Sequence, residues 1–270
     1  MCPNAAHNLT YNTLGIGRRD TVMASEIEYL ATTLYESEHL VIFTGAGLST
    51  ESGIPDFRSP GGLWSNLVPI EYSEFLASPA ARRESWRRKL VMDQDMNAAV
   101  PNRGHRAVAK LVQNVNAYVL TQNIDGLHQA SGIADDRIIE LHGNSTYANC
   151  LTCATRYELE PILTAFQCDE TLPLCERCGG IIKTATISFG QTMPPDKMQR
   201  AEQHALDCDV FLVLGSSLVV YPAAALPVMA RQNGAHLIIL NRDPTEHDPH
   251  ANLVLNREIG PTLGQALAVD

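Results

Sequence analysis

The apolar run "HLVIF", His39 to Phe43, leads through Thr44 into "GAGLSTESGIPDFR", Gly45 to Arg58. A glycine turn after a buried strand is a common entry to a phosphate site. Gly45 and Gly47 permit close backbone approach, and amides opening the next helix point at an anion. The stretch lacks the third glycine of the dinucleotide fingerprint, and a lone GxG fits an ordinary strand, turn and helix equally well. What favours a ligand is the continuation "SGIPDFRSPGG", too long and too rich in special residues for a connector. Pro55, Gly61 and Gly62 shape its backbone. Asp56, Phe57 and Arg58 add a carboxylate, an aromatic wall and a forked cation for phosphate or ribose. The loop reads as a movable cover over a nucleotide.

Around this loop, short apolar runs alternate with helical patterns: "AYVLT" (117–121), "DVFLVLG" (209–215), "AHLIILN" (235–241) and "NLVLN" (252–256). Runs that are apolar on both faces predict a parallel sheet covered by helices. Residues 24–37 and 104–114 carry apolar positions at three- and four-residue spacing, as amphipathic helices do. The expected fold is α/β, a Rossmann-like doubly wound parallel sheet with ligands at the carboxyl ends of its strands. With 270 residues, 45% hydrophobic and 19% charged, the chain suits one large core and a smaller satellite. Its net charge of −10 argues against nucleic acid as a partner and suits a basic peptide better. No apolar run approaches the roughly 20 residues that span a bilayer. The N-terminus shows no signal-peptide pattern, so a cytoplasmic location is expected.

Two stretches break the alternation. Residues 60 to 100 carry helical pattern without a strand and read as an inserted helical lobe. Residues 147 to 185 hold two C-x-x-C pairs, Cys150 with Cys153 and Cys175 with Cys178, separated by 21 residues. Doubled pairs of this kind let four thiolates meet around Zn²⁺, with no open position for chemistry. A disulfide pair or four unrelated thiols are the rivals; intracellular disulfides are rare and the spacing is specific, which favours structural zinc. The expected division is therefore a tail over 1–22, a dinucleotide-binding domain over 23–146 and 186–270, and a zinc module over 147–185.

Two further polar segments end strands. In "TQNIDGLHQASG", residues 121–132, the groups of Gln122, Asn123, Asp125 and His128 crowd together, and a bound ribose or carboxamide would supply partners; an Asn-rich turn capping a helix is the alternative. In "IIELHG", His142 sits at a strand end before Gly143, facing the expected cleft, and is a candidate general base.

The ordered series "GAGLSTESGIPDFR", "TQNIDGLH", "LHG", two C-x-x-C pairs, "GSSLVVYP" and "LIILNRDPT" resembles the sirtuins, NAD-dependent protein lysine deacylases, over roughly residues 25 to 265. The resemblance implies NAD as co-substrate and one structural Zn²⁺. It places Gly45, Ala46, Gly47, Ser49, Asp56, Phe57 and Arg58 around the pyrophosphate and nicotinamide ribose, and Gln122, Asn123 and Asp125 at the nicotinamide pocket. Gly215, Ser216 and Ser217 would meet phosphates and adenosine, Asn241 the adenine ribose, and Ile259 the adenine. It assigns catalysis to His142 with Asn123 and Asp125. In the family's reaction the acyl oxygen of a modified lysine attacks the nicotinamide ribose and nicotinamide leaves. A neutral imidazole then takes a ribose-hydroxyl proton, ending in free lysine and O-acyl-ADP-ribose.

The departures bear on substrate. "IKTATISFGQ", Ile182 to Gln191, stands where the family's peptide-pairing strand lies, so main-chain pairing is expected with altered side-chain selection. The desuccinylase branch carries a tyrosine and, three residues on, an arginine; alignment on "WRRKL" puts Glu84 and Arg87 there, which favours neutral acyl groups. "PTEHDPHANLVL" looks like the branch with slow deacetylation and stronger long-chain deacylation or ADP-ribosyl transfer. Mono-ADP-ribosyl transfer or NAD hydrolysis in the same cleft, and a non-enzymatic NAD sensor, are the other readings.

Overall fold

The computed structural model describes residues 16–56, 62 and 68–270, and of residues 16–23 the backbone alone. Phe57, Arg58 and Gly61 lie outside the described residues. A six-stranded parallel sheet carries the molecule, built from β1 (Leu40–Thr44), β2 (Ala117–Thr121), β3 (Ile138–Glu140), β7 (Val210–Leu214), β8 (His236–Leu240) and β9 (Leu253–Leu255) in the order β3-β2-β1-β7-β8-β9. Chain order reverses between β1 and β7, which opens a crevice at their carboxyl ends.

Alternation along each strand explains the two helical layers. Leu40 and Ile42 of β1, with Leu212, Leu214, Ile238 and Leu240, face a core shared with α1 (Ile16–Tyr35), α4 (Arg103–Asn114) and α9 (Ile259–Ala266). Val41 and Phe43, with Phe211, Val213 and Ile239, face the other core, closed by α7 (Pro195–Asp207) and α8 (Leu226–Gln232). All five residues of β1 are buried, so the strand reads as a continuous apolar run. Helix α4 starts on a reciprocal cap: Asn102 accepts from the His105 amide, and the His105 ring accepts from the Asn102 amide.

The second sheet is antiparallel, in the order β5-β4-β6, from β4 (Gly143–Cys150), β5 (Arg156–Glu158) and β6 (Ile182–Thr186). Helix α6 (Leu159–Asp169) packs on it, and Trp86 joins Phe166, Ile182 and Cys150 in a third core. Trp86 belongs to α3 (Pro79–Ala98), which with α2 (Tyr72–Ala77) occupies the stretch expected as a helical lobe. A short helix, α5 (Leu127–Ala130), is a single turn after β2.

Three boundaries differ from the sequence expectation. Helix α1 is described from Ile16, inside the expected tail, and runs to Tyr35 without an intervening proline. The small sheet starts at Gly143 rather than after 146, since β4 leaves directly from the turn that holds His142. The segment Ile182–Gln191 is strand only to Thr186; beyond it the backbone leaves the ladder.

Candidate active site

The crevice at the switch point is closed by two loops that touch through backbone. The Gly45 amide donates to Leu214 and the Gly47 amide to Gly215, at 3.0 and 2.9 Å. A Cβ on Gly215 would lie 2.4 Å from the Leu48 nitrogen, and one on Gly45 would lie 2.7 Å from the Gly215 oxygen. Gly215 also has φ +64°. These glycines are therefore required by the contact between the loops after β1 and β7, in addition to any approach of a ligand. A sequence reading could not see that second partner.

The cavity so formed is lined by Gly45, Ala46, Gly47, Asp56, Gln122, Asn123 and His142 on one side and by Gly215, Ser216, Ser217, Asn241 and Ile259 on the other. Ser49 and Asp125 are not at its surface. The Ser49 hydroxyl donates to the Asp125 carboxylate (2.7 Å), Asp125 also accepts from the Leu127 amide (2.9 Å), and Asn123 donates to Ser49 (3.2 Å) and to the Gly45 carbonyl (3.0 Å). Asn123 is thus held by the glycine loop, with Ser49 and Asp125 behind it. Gln122 accepts from Ser216 at 2.7 Å, which ties the loop after β2 to the loop after β7.

His128 also lies behind the cavity, although it was expected among the groups awaiting a ligand. It is buried at 2% exposure, and its Nε2 meets the Thr44 hydroxyl at 2.9 Å. That hydroxyl donates to Thr121, so Nε2 carries the proton and Nδ1 is bare, without a partner among the described residues. Burial, helped by nearby His105, pushes the His128 pKa down to about 3. His105, whose ring packs edge-on at 5.4 Å, is lowered to about 4 by burial, against the pull of Asp125. Two neutral imidazoles therefore back the site. Thr121 closes the chain by accepting from the Asn123 amide.

Sequence reasoning missed the other rim of the cavity: Arg242, Asp243, Pro244, Arg257 and Glu258. Their position at the carboxyl ends of β8 and β9 was the available signal. Arg257 pairs with Glu26 of α1, while its Nη1 is buried without a partner among the described residues. A cation with an unused donor in a glycine-lined crevice fits a phosphate-bearing dinucleotide.

His142 sits in the turn between β3 and β4 and lines this cavity and a second one, a groove of about 780 Å³. Met92, Met96, Met193 and Met198, with Ile70, Ile187 and Phe189, make much of the groove apolar. On α3 the polar residues facing it, beside Met92 and Met96, are Ser85, Arg88 and Lys89. Glu84 and Arg87, expected there, turn outward, and Arg87 pairs with Glu170. The same three-residue step is met one residue later, by Ser85 and Arg88, because helix phase is set by the burial of Trp86 against Phe166. Arg88 is engaged by Glu84 (2.8 Å) and the Val68 carbonyl (2.6 Å), and Lys89 by Asp93.

The four cysteines of the paired motifs converge, with all sulfurs within 4.8 Å of one another. Cys150–Cys178 and Cys153–Cys175 sulfur distances are both 3.5 Å. Zn–S bonds of about 2.3 Å in a tetrahedron place sulfurs ~3.8 Å apart, so the set fits Zn²⁺. Supporting donors are in place. The Thr155 hydroxyl, 3.1 Å away, lowers the Cys153 thiol to about 6, and the Tyr157 hydroxyl lowers Cys175.

Comparison with known proteins agrees with this geometry. The Sir2 family profile matches residues 45–222. An NAD-dependent protein deacetylase of Rhodopseudomonas palustris is 51% identical over 90% of this chain and 96% of its own. NAD-dependent protein deacetylase 1 of Bradyrhizobium diazoefficiens is 52% identical over 90% and 95%. A solved Sir2 structure with a p53 peptide and NAD⁺ is 34% identical, covering 90% of this chain and 97% of that one with a TM-score of 0.80.

Proposed function

The chain belongs to the Sir2 family, and from that premise we infer that it is an NAD-dependent protein lysine deacylase, releasing nicotinamide and O-acyl-ADP-ribose. The observation that carries the reading is His142, an imidazole that lines both the glycine-lined crevice and the apolar groove where they meet beside Gln122 and Val220. A dinucleotide in the first and an acyl-lysine in the second would bring their reacting ends to one imidazole.

Bound NAD supplies the electrophilic ribose carbon and the departing nicotinamide. The residues supply the rest. Gly45, Ala46, Gly47 and Asp56 would hold the pyrophosphate and the ribose, the task the family resemblance also gives to Phe57 and Arg58, outside the described residues. Gly215, Ser216, Ser217, Asn241 and Ile259 hold the adenosine half, with Arg257 as an added cation. Asn123, fixed by Gly45 and Ser49 and backed by Asp125, and Gln122, fixed by Ser216, orient the nicotinamide end. His142 accepts the ribose-hydroxyl proton as general base, a task suited to an imidazole near neutral pH. The apolar walls exclude water that would otherwise hydrolyse the dinucleotide.

The groove favours a neutral acyl chain. Its two cations are already paired with Glu84 and Asp93, and four flexible methionines accommodate chains of different length. Zn²⁺ on Cys150, Cys153, Cys175 and Cys178 is structural, in a module of about 147–185 whose sheet begins at Gly143, carried on a domain of 23–146 and 186–270. Among the described residues no helix is long and apolar enough to cross a membrane. None of the described cysteines is in a disulfide, which suits a reducing, cytoplasmic setting.

The test is mass spectrometry of acetyl-, butyryl-, succinyl- and myristoyl-lysine peptides incubated with the protein, with and without NAD. NAD-dependent acyl loss with matching O-acyl-ADP-ribose is expected, and least for succinyl. NAD consumption with every peptide unchanged would replace deacylation by hydrolysis or ADP-ribosyl transfer.

A further inference from the structure

Lys183 lies on β6 opposite Asn149 and is 4% exposed. Among the described residues no carboxylate pairs with it. Its Nζ donates to the Thr186 carbonyl at 2.6 Å, approaches the Thr184 carbonyl at 3.4 Å, and stands 5.9 Å from the centre of the Phe75 ring on α2. Burial lowers its pKa to about 8. A buried ammonium with only neutral partners costs several kcal/mol relative to water. An apolar side chain would fill the same space without that cost, so the ammonium is explained by what it holds.

What it holds is the start of the groove wall. Thr186 is the last ladder residue of β6, and Ile187 to Gln191 line the groove. Three hydrogen bonds among the described residues anchor this segment. The Ile187 amide donates to the carbonyl of His142 at 2.8 Å, the Phe189 carbonyl accepts from the Tyr72 amide at 2.8 Å, and the Thr186 carbonyl accepts from Lys183. On the β4 side the crossing is already tight: a Cβ on Gly143 would come 2.0 Å from the Ala185 oxygen. Lys183 is the one side chain among the three anchors, and its carbonyl partner is one residue from the bond to His142.

We propose that Lys183 is a positioning residue for the acyl-peptide reaction, its ammonium clamping the Thr186 carbonyl so that the Ile187–Gln191 wall stays in register with His142. The inference rests on the deacylase reading. The clamp also ties β6 to the helical lobe through Phe75, so the groove keeps its width between α3 and the wall.

The experiment compares wild type, Lys183→Met and Lys183→Arg, reading kcat and KM for one acetyl-lysine peptide and for NAD, with peptide affinity by fluorescence anisotropy. Loss of one charge-assisted hydrogen bond should raise the peptide KM about tenfold in the Met variant. The NAD KM should stay within about twofold, and Arg should restore the peptide KM, as expected for a lost uniform-binding contact rather than general damage. A Met variant with unchanged peptide KM, an Arg variant that fails to rescue, or peptide and NAD constants rising together would each overturn the clamp. Zinc content and melting report folding. If the Met variant does not fold, Lys183→Gln is read by hydrogen exchange: faster exchange confined to 184–191 supports the clamp, and unchanged exchange there overturns it. Absence of acyl loss by wild type sinks the deacylase reading alone, because anisotropy and hydrogen exchange still test the clamp.

Discussion

Replacing Gly215 by alanine tests the claim that two loops, pressed together through backbone, shape the dinucleotide crevice. The new Cβ would lie 2.4 Å from the Leu48 nitrogen and 2.6 Å from the Gly47 carbonyl carbon, where ordinary contact begins at 3.4 Å. The loops must part by about 1 Å, or the strands must shift, and neither neighbour is a flexible side-chain tip. Left-handed backbone at φ +64° adds ~1 kcal/mol for a residue with a Cβ. Overpacking adds about 1–3 kcal/mol, so the total is roughly 2–4 kcal/mol. For a chain of this size that lowers Tm on the order of 10 °C. Gly53→Ala is the internal control: φ is +86°, but nothing lies within 4 Å of the added carbon, so only the backbone strain of ~1 kcal/mol remains. Gly45→Ala isolates the converse, a clash of 2.7 Å without positive φ. Denaturant unfolding of the three variants gives the ranking, and calorimetric titration with NAD gives affinity. Gly215→Ala should be the least stable and bind NAD weakest. A Gly215→Ala protein as stable as Gly53→Ala would refute the close-packing argument.

Three further outcomes follow from the site. His142→Ala should abolish acyl removal while calorimetry shows NAD binding largely intact; unchanged turnover would remove the general base. Cys175→Ser should release zinc, read by metal analysis, and lower the melting temperature; stoichiometric zinc in that variant would contradict the four-thiolate site. His128 links stability to pH: folded, its imidazole stays neutral down to about 3, whereas the unfolded group binds a proton below its ordinary value of 6.5. Its contribution is therefore complete above pH 6.5 and lost as pH falls toward 3. The slope of unfolding free energy between pH 4 and 6 should drop by ~1.4 kcal/mol per pH unit in His128→Leu. An unchanged slope would mean the buried imidazole titrates normally.

The parallel sheet was legible because burial on both faces leaves an unbroken apolar run, and β1, β2, β7, β8 and β9 all coincide with such runs to within a residue or two. β3 was legible as the β-branched run that ends before His142, and the structure limits it to three residues at the sheet edge. The start of α1 was missed because its first turns carry little apolar periodicity.

Residue type and order along the chain determined by themselves that a glycine turn follows a buried strand, that four thiols stand at metal-ligand spacing, and that polar groups gather at strand ends. Chemistry of that kind is local, set by what each side chain and its near neighbours can do. Tertiary structure decided which polar groups face the crevice and which support it. Asn123 lines the cavity, while Asp125, Ser49 and the Nε2 of His128 are held by partners as far as 84 positions away in the chain. It also decided the phase of α3, which put Arg88 rather than Arg87 on the groove, and the burial of Lys183 against a carbonyl. Contacts between distant segments depend on how helices and strands pack, and packing is a property of the whole core that no single stretch of sequence carries.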